Sequence, residues 1–113
     1  MHRYKRCMTG PPPRIVTVFR SRLRDDAVDN GYPALADEMG ERVESMPGFV
    51  EYKTFTAPDG ERVTIAIFDS AEHQQGWRED PEHRKAQQRG RRDLYASYEI
   101  SVCEEVSHRT FQR

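Results

Sequence analysis

Two hydrophobic periodicities alternate along this chain, and their order limits the folds that it can adopt. Strand-like segments are predicted at residues 14–23, 49–56, 61–68 and 94–106. Two segments in which apolar residues recur every three or four positions, as in a helix, lie between the first and second strands and between the third and fourth strands. The order is therefore β-α-β-β-α-β, the ferredoxin-like arrangement of an α+β domain.

The first predicted strand, 14–23, is apolar on both faces. Ile15 and Phe19 point to one side of this strand, and Val16 and Val18 point to the other. A strand of this kind needs cover on both sides. Because the helices of a ferredoxin-like fold cover one face of the sheet, we expect the other face to pack against a second copy of the chain in a symmetric homodimer.

The segment after the first strand predicts an amphipathic helix that begins near Tyr32 and stops at Met46-Pro47-Gly48. Its buried stripe is formed by apolar residues at helical spacing, which are Tyr32, Leu35, Ala36, Met39, Val43 and Met46. The Ala57-Pro58-Asp59-Gly60 turn predicts a hairpin between the second and third strands, since Gly supplies positive φ.

The second helical segment is broken into two pieces. Ser70 can cap a first helix that runs to about Arg78, and Asp80-Pro81 starts a second helix that continues through Gln88.

Composition and charge exclude several classes of protein. Eighteen basic and nineteen acidic residues give a net charge of −1, so the basic footprint of a nucleic-acid binder is missing. No apolar run approaches the roughly 18 residues that cross a membrane, and the N-terminus lacks the apolar core of a secretory signal. Cys7 and Cys103 predict free thiols in the cytoplasm. We expect a flexible arm at 1–13 and one domain at 14–113.

The residues best suited to chemistry lie between the third and fourth strands. Trp77 and His73 are four apart and share a helix face; Trp77 can stack on an aromatic ligand or anchor the helix as a core residue. His83 can move a proton or bind a metal centre, or it can be a surface group bonded to Glu79 or Glu82.

A basic cluster and two tyrosines follow. The cluster surrounds Gly90 and consists of Arg84, Arg89, Arg91 and Arg92. One of these arginines can stabilise an enolate or phenolate, although a solvated helix end explains the same run. Tyr95 and Tyr98 are predicted on opposite faces of the last strand, one beside a pocket and the other at a dimer interface. Hydrolytic chemistry is not expected, because no Ser-His-Asp order, carboxylate pair or metal-binding triad is visible.

Short motifs over about residues 14–108 carry a family resemblance. They are MPGF (46–49), DGER (59–62), Trp77-Arg78, PEH (81–83), Ala86-Gln87, Gly90-Arg91 and Tyr95-x-x-Tyr98. This set resembles the antibiotic biosynthesis monooxygenase superfamily of dimeric α+β barrels. The resemblance implies a homodimer with a pocket between helices and sheet in each subunit. It also implies a monooxygenase that oxidises a small electron-rich aromatic or quinol-type compound with O₂ and without a cofactor.

The residue types and the resemblance together predict roles for individual residues. Trp77, His83 and Arg91 are the expected catalytic residues, as stacking wall, proton-transfer group and anion stabiliser. The expected substrate contacts are Trp77, His73, Tyr95 and Tyr98.

Two alternatives stay open. A second branch of the superfamily degrades haem with a His ligand and a Trp from this helical segment and an Asn in the first strand. His83 and Trp77 would supply the first two, and Ser21 stands in the Asn position. The other alternative is a non-catalytic dimer that binds a small ligand, because one fold serves many functions.

Overall fold

The computed structural model describes residues 10–113 and confirms the ferredoxin-like element order. The strands are β1 (Ile15–Leu23), β2 (Phe49–Thr56), β3 (Arg62–Phe68) and β4 (Tyr95–Glu104). The helices are α1 (Tyr32–Glu44), α2 (Ala71–Arg78) and α3 (Pro81–Arg89), and a π-helical turn (Gly90–Leu94) joins α3 to β4. The predicted arm at 1–13 lies largely outside the described residues. Within 10–113, no helix is long and apolar enough to span a membrane.

The four strands form one antiparallel sheet in the order β2-β3-β1-β4. The two strands richest in β-branched residues, β1 and β3, occupy its centre, where such side chains pack best. Phe19 lies opposite Thr64 on the face that meets the helices, and Val18 lies opposite Ile65 on the other face.

Capping residues set the predicted boundaries of the broken helical segment. The Ser70 side chain accepts a hydrogen bond from the backbone N–H of His73 at 3.2 Å. The Asp80 carboxylate accepts one from the backbone N–H of His83 at 3.0 Å, and Pro81 occupies the first turn of α3. The predicted hairpin turn is also confirmed, with Gly60 at a φ of 91°.

The apolar core lies between α1, α2 and β3. Met39 and Val43 of α1 pack with Phe68 of β3 and Trp77 of α2. Phe68 and Val43 have no exposed surface, so this cluster joins both helices to one end of the sheet.

The prediction that Tyr95 and Tyr98 lie on opposite faces is wrong. Tyr98 pairs with Ser21 of β1 and Tyr95 pairs with Leu23, which leaves Ala96 as an extra residue in a β-bulge. Because a bulge resets the alternation of side chains, two residues three apart reach the same face. Their ring centroids are 5.8 Å apart on the helix side of the sheet.

None of the helices within residues 10–113 covers the opposite face of the sheet. We call it the open face, and its apolar members are Val16, Val18, Phe55, Val63, Ile65 and Ile67. Phe55 is 51% exposed there. The two-sided apolar pattern of β1 is thus explained on one side by the helices, and on the other side Val16 and Val18 remain partly exposed.

Candidate active site

A cavity of about 860 Å³ lies between the helices and the sheet. Thr17, Phe19 and Ser21 of β1 contribute to its floor, and side chains of all three helices contribute to its roof. This volume falls within the range of roughly 300–1,000 Å³ that is typical of small-molecule sites.

Trp77 and His83 form a stacked pair in the wall of this cavity. Their ring centroids are 3.8 Å apart and the rings are within 12° of parallel. His83 Nδ1 lies 3.0 Å from the backbone carbonyl oxygen of Trp77. Since a carbonyl accepts, Nδ1 carries the proton, and Nε2 is left as the basic nitrogen of the neutral ring.

Burial sets the protonation state of His83. Removal from water lowers its pKa below the ordinary 6.5, and this effect outweighs the Trp77 carbonyl and the Asp80 charge, which act in the opposite direction. The imidazole is therefore neutral at physiological pH. Nε2 makes no hydrogen bond to any of residues 10–113, so its lone pair is available to a ligand.

Asp80 fixes the start of α3 and with it His83. Its carboxylate is only 7% exposed and accepts two hydrogen bonds from the Arg42 guanidinium of α1, at 2.6 and 2.8 Å. These bonds hold the pKa of Asp80 at about 2, well below the ordinary 3.8. The carboxylate that caps α3 thus also joins it to α1.

Trp77 serves the core and the cavity together. It is 6% exposed, and the interpretation that it anchors its helix to the sheet is confirmed by its packing on Phe68. One face of the indole is covered by the imidazole of His83. On that face, Trp77 positions His83 and offers no surface to a ligand.

Only some of the other predicted site residues line the cavity. Arg91, Tyr95 and Tyr98 line the cavity, and Arg91 Nη1 donates to the Tyr98 hydroxyl at 3.3 Å. His73 is not among the lining residues, because its Nδ1 pairs with the Asp69 carboxylate at 2.6 Å.

The basic cluster is divided in the same way. Arg84 lines the cavity together with Arg91. Arg89 instead donates to the Asn30 carbonyl at 2.6 Å, and Arg92 pairs with its neighbour Asp93.

Two tyrosines that the sequence did not mark as site residues also line the cavity. These are Tyr32 of α1, whose ring is 6.4 Å from that of Tyr95, and Tyr52 of β2; Tyr95 is also edge-on to Phe19 at 5.4 Å. Tyr32 could have been recognised from the sequence, because it lies on the predicted buried stripe of the first helix. A buried hydroxyl needs a polar partner or a cavity.

The position of the Tyr95 ring depends on Gly90, the first residue of the π-helical turn before β4. A Cβ added to Gly90 would lie 2.5 Å from Tyr95 Cε2, so glycine allows the ring to rest against the backbone. Burial, aided by the hydroxyls of Tyr32 and Tyr52, raises the pKa of Tyr95 far above its ordinary value. The phenol is therefore a permanent hydrogen-bond donor.

Metal-ligating side chains do not converge in the part of the chain that the structure describes. Among residues 10–113, no three His, Cys, Asp or Glu side chains are grouped to hold an ion.

The fold and the cavity define a ferredoxin-like α+β protein with a small-molecule site between helices and sheet. Residues 14–89 match the family model described as antibiotic biosynthesis monooxygenase, and the chain belongs to that family. It is also similar to the uncharacterized protein YqjZ of Bacillus subtilis (strain 168), with 31% identity over 104 residues, 92% of this chain and 90% of YqjZ. Family membership supports a monooxygenase-type function.

Solved structures share the fold at lower identity. Rv0793 from Mycobacterium tuberculosis superposes with a TM-score of 0.75 at 19% identity, covering 86% of this chain and 99% of that one. SnoaB from Streptomyces nogalater, a cofactor-independent oxygenase, gives a TM-score of 0.72 at 14% identity, covering 89% and 99%.

Proposed function

We propose that this protein is a cofactor-independent monooxygenase that oxidises a small electron-rich aromatic or quinol-type compound with O₂. The observation that carries the proposal is the neutral His83 imidazole in the cavity wall, with Nδ1–H bound to the Trp77 carbonyl and Nε2 unpartnered within the described residues. That arrangement suits a general base. The similarity to SnoaB, a cofactor-independent oxygenase, adds support through the shared fold.

In the proposed reaction, His83 Nε2 removes a proton from an acidic C–H between aromatic rings. The resulting carbanion is the electron source and reduces O₂. For a methylene substrate the balance is R₂CH₂ + O₂ → R₂C=O + H₂O, with one oxygen atom in the product and one in water. Arg91, held beside the Tyr98 hydroxyl, would stabilise the charge as it develops on the substrate.

Oxygen uptake with a panel of anthrones and hydroquinones tests the proposal. We expect His83→Gln to lower kcat by about 100-fold or more, because the amide cannot accept the proton. His73→Gln is the matched control, since His73 lies off the cavity on the preceding helix and should leave the rate unchanged. Background uptake on every substrate would favour a non-catalytic ligand-binding protein.

Haem is the second candidate ligand, because the same geometry favours it. A histidine that donates from Nδ1 to a carbonyl leaves Nε2 available to iron, so His83 would be the residue that holds the haem. The haem would then supply the O₂ chemistry. Titration with haemin separates the two candidates: a sharp Soret shift that His83→Ala abolishes would favour haem, and an unchanged spectrum would exclude it.

A homodimer is the proposed assembly. The open face of the sheet supports this proposal, because Phe55 is half exposed there and Val16, Val18, Val63 and Ile65 keep part of their surface exposed. A second copy that packs its own open face there would satisfy both copies at once.

A further inference from the structure

Arg62, the first residue of β3, is an arginine without an acceptor. Its guanidinium lies 5.2 Å above the ring of Tyr32 on the helix side of the sheet. Its Nε is fully buried and has no hydrogen-bond partner, and Arg62 forms no ion pair with any of residues 10–113. A buried charged donor that is left unpaired is costly, so it calls for an explanation.

Nearby charges do not supply that explanation. Arg20, one strand away on the open face, is paired with Glu61 at 3.0 Å and with Glu99 at 3.1 Å. On the helix side, three carboxylates of α1 line the groove beside Arg62, namely Asp37, Glu41 and Glu44. All three are exposed, and none pairs with Arg62. No carboxylate of residues 10–113 therefore neutralises the Arg62 guanidinium by direct contact.

Hydroxyl donors surround the same end of the cavity. Tyr32 and Tyr52 line both the main cavity and the groove that contains Arg62. The Arg62 charge acts on the phenols of Tyr52 and Tyr95, where it opposes the effect of burial on each pKa. None of the three hydroxyls has a hydrogen-bond partner among the described residues. This end of the cavity therefore offers several hydroxyl donors, and the carboxylates in the adjoining groove are the exposed side chains of α1.

This end lies away from the Trp77–His83 pair. Arg62 pairs with Ser21, whereas Trp77 packs on Phe68 at the other end of β3. Six residues of strand separate the two, or about 20 Å at roughly 3.3 Å per residue. An elongated polycyclic ligand can reach from one end towards the other.

We propose that Arg62, in the groove that adjoins the cavity, and Tyr32 and Tyr52, which line both spaces, bind a carboxylate of the substrate at the end remote from His83. The planar guanidinium fork matches a carboxylate, and the phenols add further donors. The inference rests on the proposed function, and it narrows the substrate to an aromatic acid whose carboxylate lies on the side of the cavity away from His83.

Equilibrium binding tests the subsite without turnover. Trp77 is the only tryptophan and lines the cavity, so quenching of its fluorescence reports occupancy. The probes are anthraquinone-2-carboxylate and the neutral anthraquinone-2-carboxamide. We expect the wild type to bind the acid about tenfold more tightly than the amide, and Arg62→Gln to reduce the preference to about twofold or less. Arg20→Gln, on the open face, should keep the preference.

Several outcomes would overturn the subsite: no preference in the wild type, an unchanged preference in folded Arg62→Gln, or its loss only in Arg91→Gln. If Arg62→Gln fails to fold, a crystal structure of wild type with the acid decides, and a carboxylate bound away from Arg62 refutes the proposal. If the wild type prefers the acid but oxidises no substrate, the proposed function is refuted and the subsite stands. If the wild type oxidises a substrate but does not prefer the acid, the subsite is refuted and the proposed function stands.

Discussion

At the scale of single residues, the chemistry depends on which nitrogen of His83 carries the proton. The Trp77 carbonyl fixes the proton on Nδ1, and burial keeps the ring neutral. Trp77 therefore acts on His83 twice, through its backbone and through the stacked indole. A six-residue spacing across a helix break does not reveal this contact, although the sequence did single out both residues.

The lowered pKa of His83 predicts the pH dependence of the reaction. Protonation of Nε2 removes the base, so kcat/KM should fall as the pH decreases through an apparent pKa below 6.5. A pH profile of oxygen uptake measures this limb. It should persist in His73→Gln and vanish from the residual rate of His83→Gln. A limb centred above 6.5, or one that survives in His83→Gln, would assign the base elsewhere.

Other site residues could not be found from the sequence because their neighbours are distant along the chain. Tyr32, Tyr52 and Arg62 belong to three different elements and meet only once the sheet is assembled. Tyr95 and Tyr98 were assigned to opposite faces by simple alternation. A bulge at Ala96, which no local residue pattern announces, brings them together.

At the scale of elements, the contact between α1 and α3 holds the base in place. Asp80 caps α3 through the His83 N–H and binds Arg42 of α1. The break between α2 and α3 was predictable, because Asp80-Pro81 is a strong helix start. The partner on α1 was not, since nothing in the local sequence pairs Arg42 with a residue 38 positions later.

Asp80→Asn should lower the free energy of unfolding by about 1–2 kcal/mol, because the helix loses its charged cap and the Arg42 pair is weakened. The folded pKa of about 2 lies below the ordinary 3.8, so the stabilisation is present above 3.8 and is lost as the pH falls towards 2. Urea unfolding at several pH values measures both effects. The variant should lack this part of the acid destabilisation. Asp69→Asn, at an exposed surface pair, is the control and should change stability clearly less. Equal losses in both variants would contradict the role given to Asp80.

At the scale of the whole molecule, the order of periodicities was enough to predict the ferredoxin-like fold. The two-sided apolar pattern of β1 also indicated that one face of the sheet would stay uncovered by helices, as it does. Ile65 lies opposite Val18 near the middle of that open face. We propose that a second copy of the chain covers this face.

Light scattering coupled to size-exclusion chromatography tests the assembly. The wild type should elute at twice the chain mass of 13.2 kDa. Ile65→Lys should give folded monomer, because a charge on the open face is costly to bury in a dimer. Val28→Lys, at a 65% exposed apolar residue in the turn before α1, should remain dimeric. A monomeric wild type, or a dimeric Ile65→Lys, would contradict the proposed interface.

The central claim is that the cavity beside Trp77 and His83 oxidises an aromatic substrate with O₂ and no cofactor. Mass spectrometry of the quinone formed from an anthrone under ¹⁸O₂, with protein freed of metal and flavin, tests it most directly. The account predicts one ¹⁸O atom per product molecule, formed at the same rate by wild type and His73→Gln and far more slowly by His83→Gln. Unlabelled product, or equal rates for wild type and His83→Gln, would contradict it.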